Sequence, residues 1–227
     1  TLTYIIIIVK HLCDFEDAEC LLQGAKRTYQ EIAIGYKNKV PSSEPLFLEE
    51  IVGDLPTIKY KLNNITFSGM SNCTPELVKI NSNDQSYVYH LACKHLTLEG
   101  QYEANGNLKT LFVEGKGYHK VDFYDYVLLF TGECEQFFDQ DQKLHVLIKN
   151  FKLDVDARGV IKFDYKNLYN GDAEKSAALL KYVNENWKEM DRLARGPVVA
   201  KFMELFIKNV NVYLTMFPID HVFSYED

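Results

Sequence analysis

Five cysteines, six histidines and 32 acidic residues are the side chains of this 227-residue chain best suited to bind metal, attack a substrate or move protons. Their spacing points to structure rather than reaction. His90, Cys93 and His95 in "HLACKH" come nearest to a metal site. On a strand, however, His90 and Cys93 point to opposite faces, and no third ligand joins them. No G-x-S-x-G elbow and no H-E-x-x-H helix occurs, so the usual nucleophile and zinc-protease signatures are missing. The carboxylates of "FEDAE" and "DQDQ" fall in segments read as exposed. Gly115-Lys116-Gly117 enters a strand rather than a helix and lacks a third glycine, so it reads as a hairpin turn and not a phosphate loop. The expectation is a protein without catalytic residues, metal or cofactor.

The cysteines carry a second kind of chemistry. Cys13 and Cys20 enclose a short stretch that fits no common zinc knuckle and closes easily into a loop, so a disulfide is expected. Sequons stand at Asn64 (Asn-Ile-Thr) and Asn72 (Asn-Cys-Thr). Together with the disulfide they favour an extracellular, secreted glycoprotein. Cys73 and Cys93 lie equidistant from Asn83 in a turn-like stretch and could face each other across a hairpin. Because a cross-strand disulfide needs uncommon geometry, buried free thiols are the favoured reading for this pair. Cys134 stays unpaired either way.

The formal charge is −7, and the 25 basic residues are scattered, which argues against nucleic acid or an anionic membrane as partner. The longest apolar run, Ile5 to Val9, is far short of the ~20 residues of a membrane span. It reads as the tail of a trimmed signal peptide or as a β-prone segment of the mature chain. No Pro/Gly/Ser linker divides residues 1–227, so one domain is expected.

These side chains need a scaffold, and the hydropathy pattern supplies one. Leu21, Leu22, Ala25, Tyr29 and Ile32 keep a helical period from Ala18 to Ile34, ended by Gly35. From Ile58 to Val155 the pattern alternates, with turn clusters at "NSND", "EANGN", "GKG", "DQDQ" and "DARG". One-residue phase slips near Asn64, Lys94 and Tyr124 predict β-bulges, which bend sheets. From Ala173 to Phe217 the helical period returns, opened by turn and cap chemistry at Asn170, Gly171 and Asp172 and broken at Gly196-Pro197. A helix of ~65 Å, at 1.5 Å per residue, buries its apolar stripe only if a sheet curls along it. The expected fold is α+β: a strongly curved antiparallel sheet wrapped around one long C-terminal helix, with a short N-terminal helix.

"NLYNGD" followed by "LLKYVNENWKEM", the paired cysteines of "CDFEDAEC", and "PSSEPLFL", "NNITFSGMSN", "LTLEGQYEANGNL", "EGKGYHKVDF" and "FPIDHVF" in that order resemble the insect takeout and juvenile hormone binding protein family. The resemblance covers nearly the whole chain. It implies a tubular lipid-binding fold whose apolar tunnel holds an extended hydrophobic ligand, in a secreted carrier without catalysis. No cysteine follows Cys134. The second disulfide with which some juvenile hormone carriers engage the C-terminal helix is therefore absent, which favours the broader takeout branch.

Inward aromatic and aliphatic positions are the expected ligand contacts: Phe67, Phe112, Phe123, Tyr126, Leu128, Phe130, Val183, Trp187, Met190, Phe202 and Phe206. Polar groups at the tunnel mouth would include Tyr118, His119 or Tyr213. Two rivals share the composition. One is a secreted interaction protein with a filled core and a protein partner, and the other is a lipid ester hydrolase, for which no nucleophile motif is present.

Overall fold

The computed structural model describes residues 10–55 and 57–226. The apolar run Ile5 to Val9 lies outside them. The order is β1 (Lys10–Leu12), α1 (Ala18–Ala33), β2 (Leu46–Leu55), β3 (Ile58–Ser68), β4 (Cys73–Asn81), β5 (Ser86–Leu108), β6 (Leu111–Phe138), β7 (Leu144–Ile148), β8 (Lys152–Ala157) and β9 (Ile161–Tyr165). There follow α2 (Ala173–Glu185), α3 (Trp187–Ala194), α4 (Ala200–Met216), α5 (Ile219–Val222) and β10 (Ser224–Glu226).

The sheet is built on one very long antiparallel hairpin, β5–β6. Different strands flank its two ends. On the β5 side, β3 pairs with Thr97–Gly106 and β4 with Ser86–Cys93. On the β6 side, β9 pairs with His119–Phe123, β8 with Tyr126–Thr131 and β7 with Cys134–Phe138. A register shift separates Asn63 from Thr66, as the phase slip at Asn64 predicts. Lys94 and Asp125 drop out of the β5–β6 ladder opposite one another, so the inward face changes on both strands while the register is kept. Beside them Arg158, Gly159 and Val160 stand opposite only Tyr124 and Asp125, and the Asp125 carbonyl accepts from both Arg158 N and Gly159 N. The result is a crease that crosses three neighbouring strands at one level.

Three turn assignments are corrected. The hairpin tip is Lys109-Thr110, not "GKG" or "EANGN", and both of those stretches lie within strands. Glycine is needed there for close approach: a Cβ on Gly117 would sit 2.5 Å from the Lys166 carbonyl, and one on Gly106 2.4 Å from that of Thr57. "DARG" is the bulge just described. A further strand, β2, precedes the alternating region and pairs with β3.

Cys13 and Cys20 are bonded. So are Cys73 and Cys93, with Cα atoms 4.1 Å apart, which overturns the free-thiol reading. The cause is local. The register set at Asn81↔Ser86 would place Lys94 opposite Cys73, but a shift between Pro75 and Leu77 brings Cys93 there instead. Proline has no N–H to give the ladder, so a bulge beside it costs little. Cys134 is free and buried.

Asp17 caps α1 by accepting from Cys20 N, and Asp172 caps α2 by accepting from Lys175 N, each at 3.0 Å. The C-terminal helical segment is interrupted twice. Gly196-Pro197 falls in a π-type turn, Arg195–Val199, where proline cannot donate to the α ladder. The second break, unforeseen from sequence, is Asn186, whose φ and ψ of −108° and 29° separate α2 from α3. Tyr213 Oη donates to Glu31 at 2.6 Å and Tyr29 Oη to the Met70 carbonyl at 2.7 Å, fixing α1 against α4 and the sheet. Among the described residues, no helix is long and apolar enough to cross a membrane.

Candidate functional site: two apolar cavities

The curved sheet and the C-terminal helices leave two cavities between them. Cavity 1, about 190 Å³, is walled by Leu62, Leu98 and Val121 from the sheet and by Leu179, Val183 and Val198 from the helical side. Leu193 belongs to the same wall and is 38% exposed, so the cavity reaches the surface there. Cavity 2, about 110 Å³, lies among Tyr87, Tyr89 and Phe130 of the sheet, Tyr29 of α1, and Phe206 and Leu214 of α4. A single water needs only about 10–15 Å³, so neither space is a packing defect.

The two linings have no residue in common. Each element that runs past both shows why. On β6, Val113, His119, Val121 and Phe123 face cavity 1 and Phe130 and Cys134 face cavity 2, with Tyr126 and Leu128 between them. On α4 and the turn before it, Val198 and Val199 face the first, Phe206 faces the second, and Phe202 and Met203 lie between. The Phe202 ring stacks on Phe67 at 5.3 Å and 22°, and Phe67 meets Phe123 edge-on at 6.2 Å. Phe67, Tyr126, Leu128, Phe202 and Met203 are all fully buried. They form a close-packed septum. The single tunnel implied by the family resemblance is therefore two compartments here.

The family model for haemolymph juvenile hormone binding protein matches residues 7–224. The chain belongs to this family. Its structure is similar to that of Takeout 1 from Epiphyas postvittana, with a TM-score of 0.86 at 22% identity over 93% of this chain and 98% of that one. Lipopolysaccharide binding protein gives a TM-score of 0.41 at 11% identity, over 90% of this chain and 39% of that one. No curated protein matches the chain.

In this member of the juvenile hormone binding protein family, the cavity walls separate the residues picked out from sequence into groups. Phe123, Val183 and Met190 line cavity 1, and Phe130 and Phe206 line cavity 2. Phe67, Tyr126, Leu128 and Phe202 make the septum. Phe112 is 51% exposed: with the tip at Lys109-Thr110, the alternation turns Val113 inward and Phe112 out. Trp187 is half-buried outside both linings, with Lys188 Nζ 5.4 Å from its ring centroid. The break at Asn186 interrupts the helical period between Val183 and Met190, so Trp187 leaves the inward stripe. Tyr118 is exposed and donates to Glu99 at 2.5 Å, and Tyr213 lines neither cavity.

The polar groups of cavity 1 are few. Asp191 is buried in its wall, but both oxygens are used: Tyr126 Oη donates to Oδ1 at 2.5 Å and Arg195 Nη2 to Oδ2 at 2.6 Å. Arg195 Nη1 also donates to Asp154 at 2.6 Å, so the π-type turn is held by a chain of charge-assisted bonds. Tyr102 Oη donates to the Lys166 carbonyl at 2.8 Å. His119 is 1% exposed and stacked on Tyr165 at 5.7 Å, and its ring makes no well-aligned hydrogen bond, only a looser one with the Gly100 backbone. Burial pushes its pKa down to about 4; the Gly100 backbone and Glu99 pull weakly the other way. Tyr60 Oη, in the same wall, is buried without a partner, and burial raises its pKa.

Sequence reasoning missed Tyr60, Tyr102 and Tyr165 as site residues, although the alternation in β3 places Tyr60 on the inner face. It also gave α1 no part in a site, although Tyr29 of its apolar stripe walls cavity 2. His90, Cys93 and His95 make no metal site, because Cys93 is bonded to Cys73 and His95 faces outward to Asp122 at 2.8 Å. Asn64 and Asn72 are both exposed.

Proposed function

We propose that this protein is a secreted carrier that takes a small hydrophobic molecule, a terpenoid, fatty acid or similar lipid, out of water and into cavity 1. The almost wholly apolar space between sheet and helices carries this reading. At ~25 cal/mol per Å², burying ~300 Å² of ligand surface gives roughly 7 kcal/mol before ordering costs, enough for micromolar binding. The family is one of binding proteins, and its description names haemolymph. Two disulfides and two exposed sequons support an extracellular setting. The rival with a filled core has two unfilled cavities against it. Mass spectrometry of organic extracts, with displacement of a fluorescent apolar probe, tests the proposal. The expected result is a co-purified lipid and saturable, competable probe binding; a protein that yields no lipid and binds no probe is not a carrier.

A further inference from the structure

One wall of cavity 1 is fastened unlike its neighbours. Met190, Asp191 and Leu193 of α3 line it, with Val198 and Val199 of the turn that follows. This stretch lies between the two breaks of the C-terminal helical segment, at Asn186 and at Arg195–Val199. The helices on either side are pinned to sheet edges by neutral hydrogen bonds. Asn184 of α2 accepts from Phe163 N at 2.8 Å and donates to the Phe163 carbonyl at 2.9 Å, so its amide stands in for a neighbouring strand on β9. Asn211 of α4 does the same for Ile148 on β7, at 2.8 and 2.9 Å.

Between those pins the fastening is ionic. Glu189 of α3 meets Lys109 of the β5–β6 tip at 2.6 Å, and Arg195, just after α3, meets Asp154 of β8 at 2.6 Å. Lys109, Glu189 and Asp154 are each more than a third exposed, and water and salt weaken such pairs. The closed position also carries costs. Arg195 Nε is buried without a partner, and an unpaired donor is unfavourable. The π-type turn gives up the regular α ladder. A Cβ on Gly196 in that turn would meet nothing within 4 Å, so no neighbour calls for glycine, and its presence loosens the backbone.

Moving α3 outward would strand no charge. Asp191, buried in the cavity wall, is paired at 2.6 Å with Arg195 four residues on, so the two travel together. What parts is the Tyr126–Asp191 hydrogen bond and the two ion pairs to the sheet. We propose that α3 is a hinged lid over cavity 1, turning about Asn186 and Arg195–Val199, with Glu189–Lys109 and Arg195–Asp154 as its latches. The inference rests on the carrier reading and deepens it by naming how that site opens: cargo passes beside Leu193, where the wall already reaches the surface. Because the latches are ionic, even an uncharged cargo should exchange faster as salt rises.

Thiol labelling of the whole protein tests the lid without any cargo. Val121→Cys places a thiol of similar size in the sheet wall of cavity 1, and Cys134, free in the wall of cavity 2, is an internal control on the same molecule. Peptide mass spectrometry follows both thiols during reaction with uncharged N-phenylmaleimide. Labelling at Val121→Cys should speed up between about 0.01 M and about 1 M KCl, over which the Debye length shrinks from about 30 to about 3 Å. Glu189→Gln and Asp154→Asn should each speed it about two- to fivefold at low salt, the worth of one exposed ion pair, and Lys109→Glu with Glu189→Lys should restore the slow rate. Cys134 should stay slow and constant throughout. Leu98→Cys, in the same wall, decides the matter if Val121→Cys does not fold. Labelling in cavity 1 that ignores salt and both latch variants overturns the lid, as does a parallel rise at Cys134, which reports loosening of the whole fold. In both cases the carrier reading survives, because lipid extraction and probe binding test it separately. If those two fail, the carrier reading falls, and the lid has no cargo to admit.

Discussion

Replacing Phe202 by alanine should join the two cavities. Phe202 is fully buried and stacked face to face on Phe67 at 5.3 Å, in the middle of the packed layer that separates spaces of about 190 and 110 Å³. Truncating a buried phenylalanine costs about 3–5 kcal/mol, which denaturant unfolding will read directly. The informative consequence is in binding. Each methylene that moves from water into apolar space gains about 0.8 kcal/mol, close to fourfold in affinity. In the unaltered protein a series of n-alkanols should therefore tighten about fourfold per carbon until cavity 1 is full and then level off. In Phe202→Ala the same rise should continue past that length, because the chain end can pass into cavity 2. Phe202→Leu serves as a milder replacement should alanine leave too little stability. If the folded variant levels off at the same carbon number as the unaltered protein, the septum described here is not what limits ligand length.

Other outcomes follow from the same structure. Cys73→Ser paired with Cys93→Ser should lower stability by about 3 kcal/mol, from the 20-residue separation that this disulfide closes, and a loss below 1 kcal/mol in urea unfolding would contradict it. The His119 pKa is depressed to about 4 from an ordinary 6.5, so between these values the unfolded chain takes up a proton that the folded chain refuses. Stability should therefore fall as pH drops through that window, by about 3 kcal/mol in total relative to His119→Phe, and parallel pH profiles for the two proteins would refute it. Asp191→Asn takes the carboxylate from Tyr126 and Arg195 and should cost about 2 kcal/mol, seen as a lower Tm.

Much of the architecture could be read from residue order, for reasons that particular elements make plain. Asp172 marks a helix start because a carboxylate there satisfies free backbone N–H groups, and it does so. The phase slips at Asn64, Lys94 and Tyr124 show which way side chains face, and burial follows them on each strand. Turn chemistry misled where glycine serves another end: Gly106 and Gly117 sit in strands under a neighbouring carbonyl, while the true tip, Lys109-Thr110, has neither glycine nor proline. The Cys73–Cys93 bond depended on a one-residue shift beside Pro75 that no periodicity displays. The septum was hidden for a deeper reason. Phe202 and Phe206 are the same residue type one turn apart on one helix, and only the partners across the interior decide that one plugs and the other lines a wall. Sequence named both as ligand contacts, and it could not foresee that the Tyr60 hydroxyl would be buried without a partner.

The aligned irregularities at Lys94, Asp125 and Arg158 to Val160 lie between Phe123, which lines cavity 1, and Tyr126, which belongs to the septum. A wall creased across three adjacent strands gives a corridor with a corner in it, not a straight bore. Even with the partition removed, a rigid fused-ring molecule long enough to enter both rooms could not round that corner. A flexible chain, bending at one or two single bonds, could.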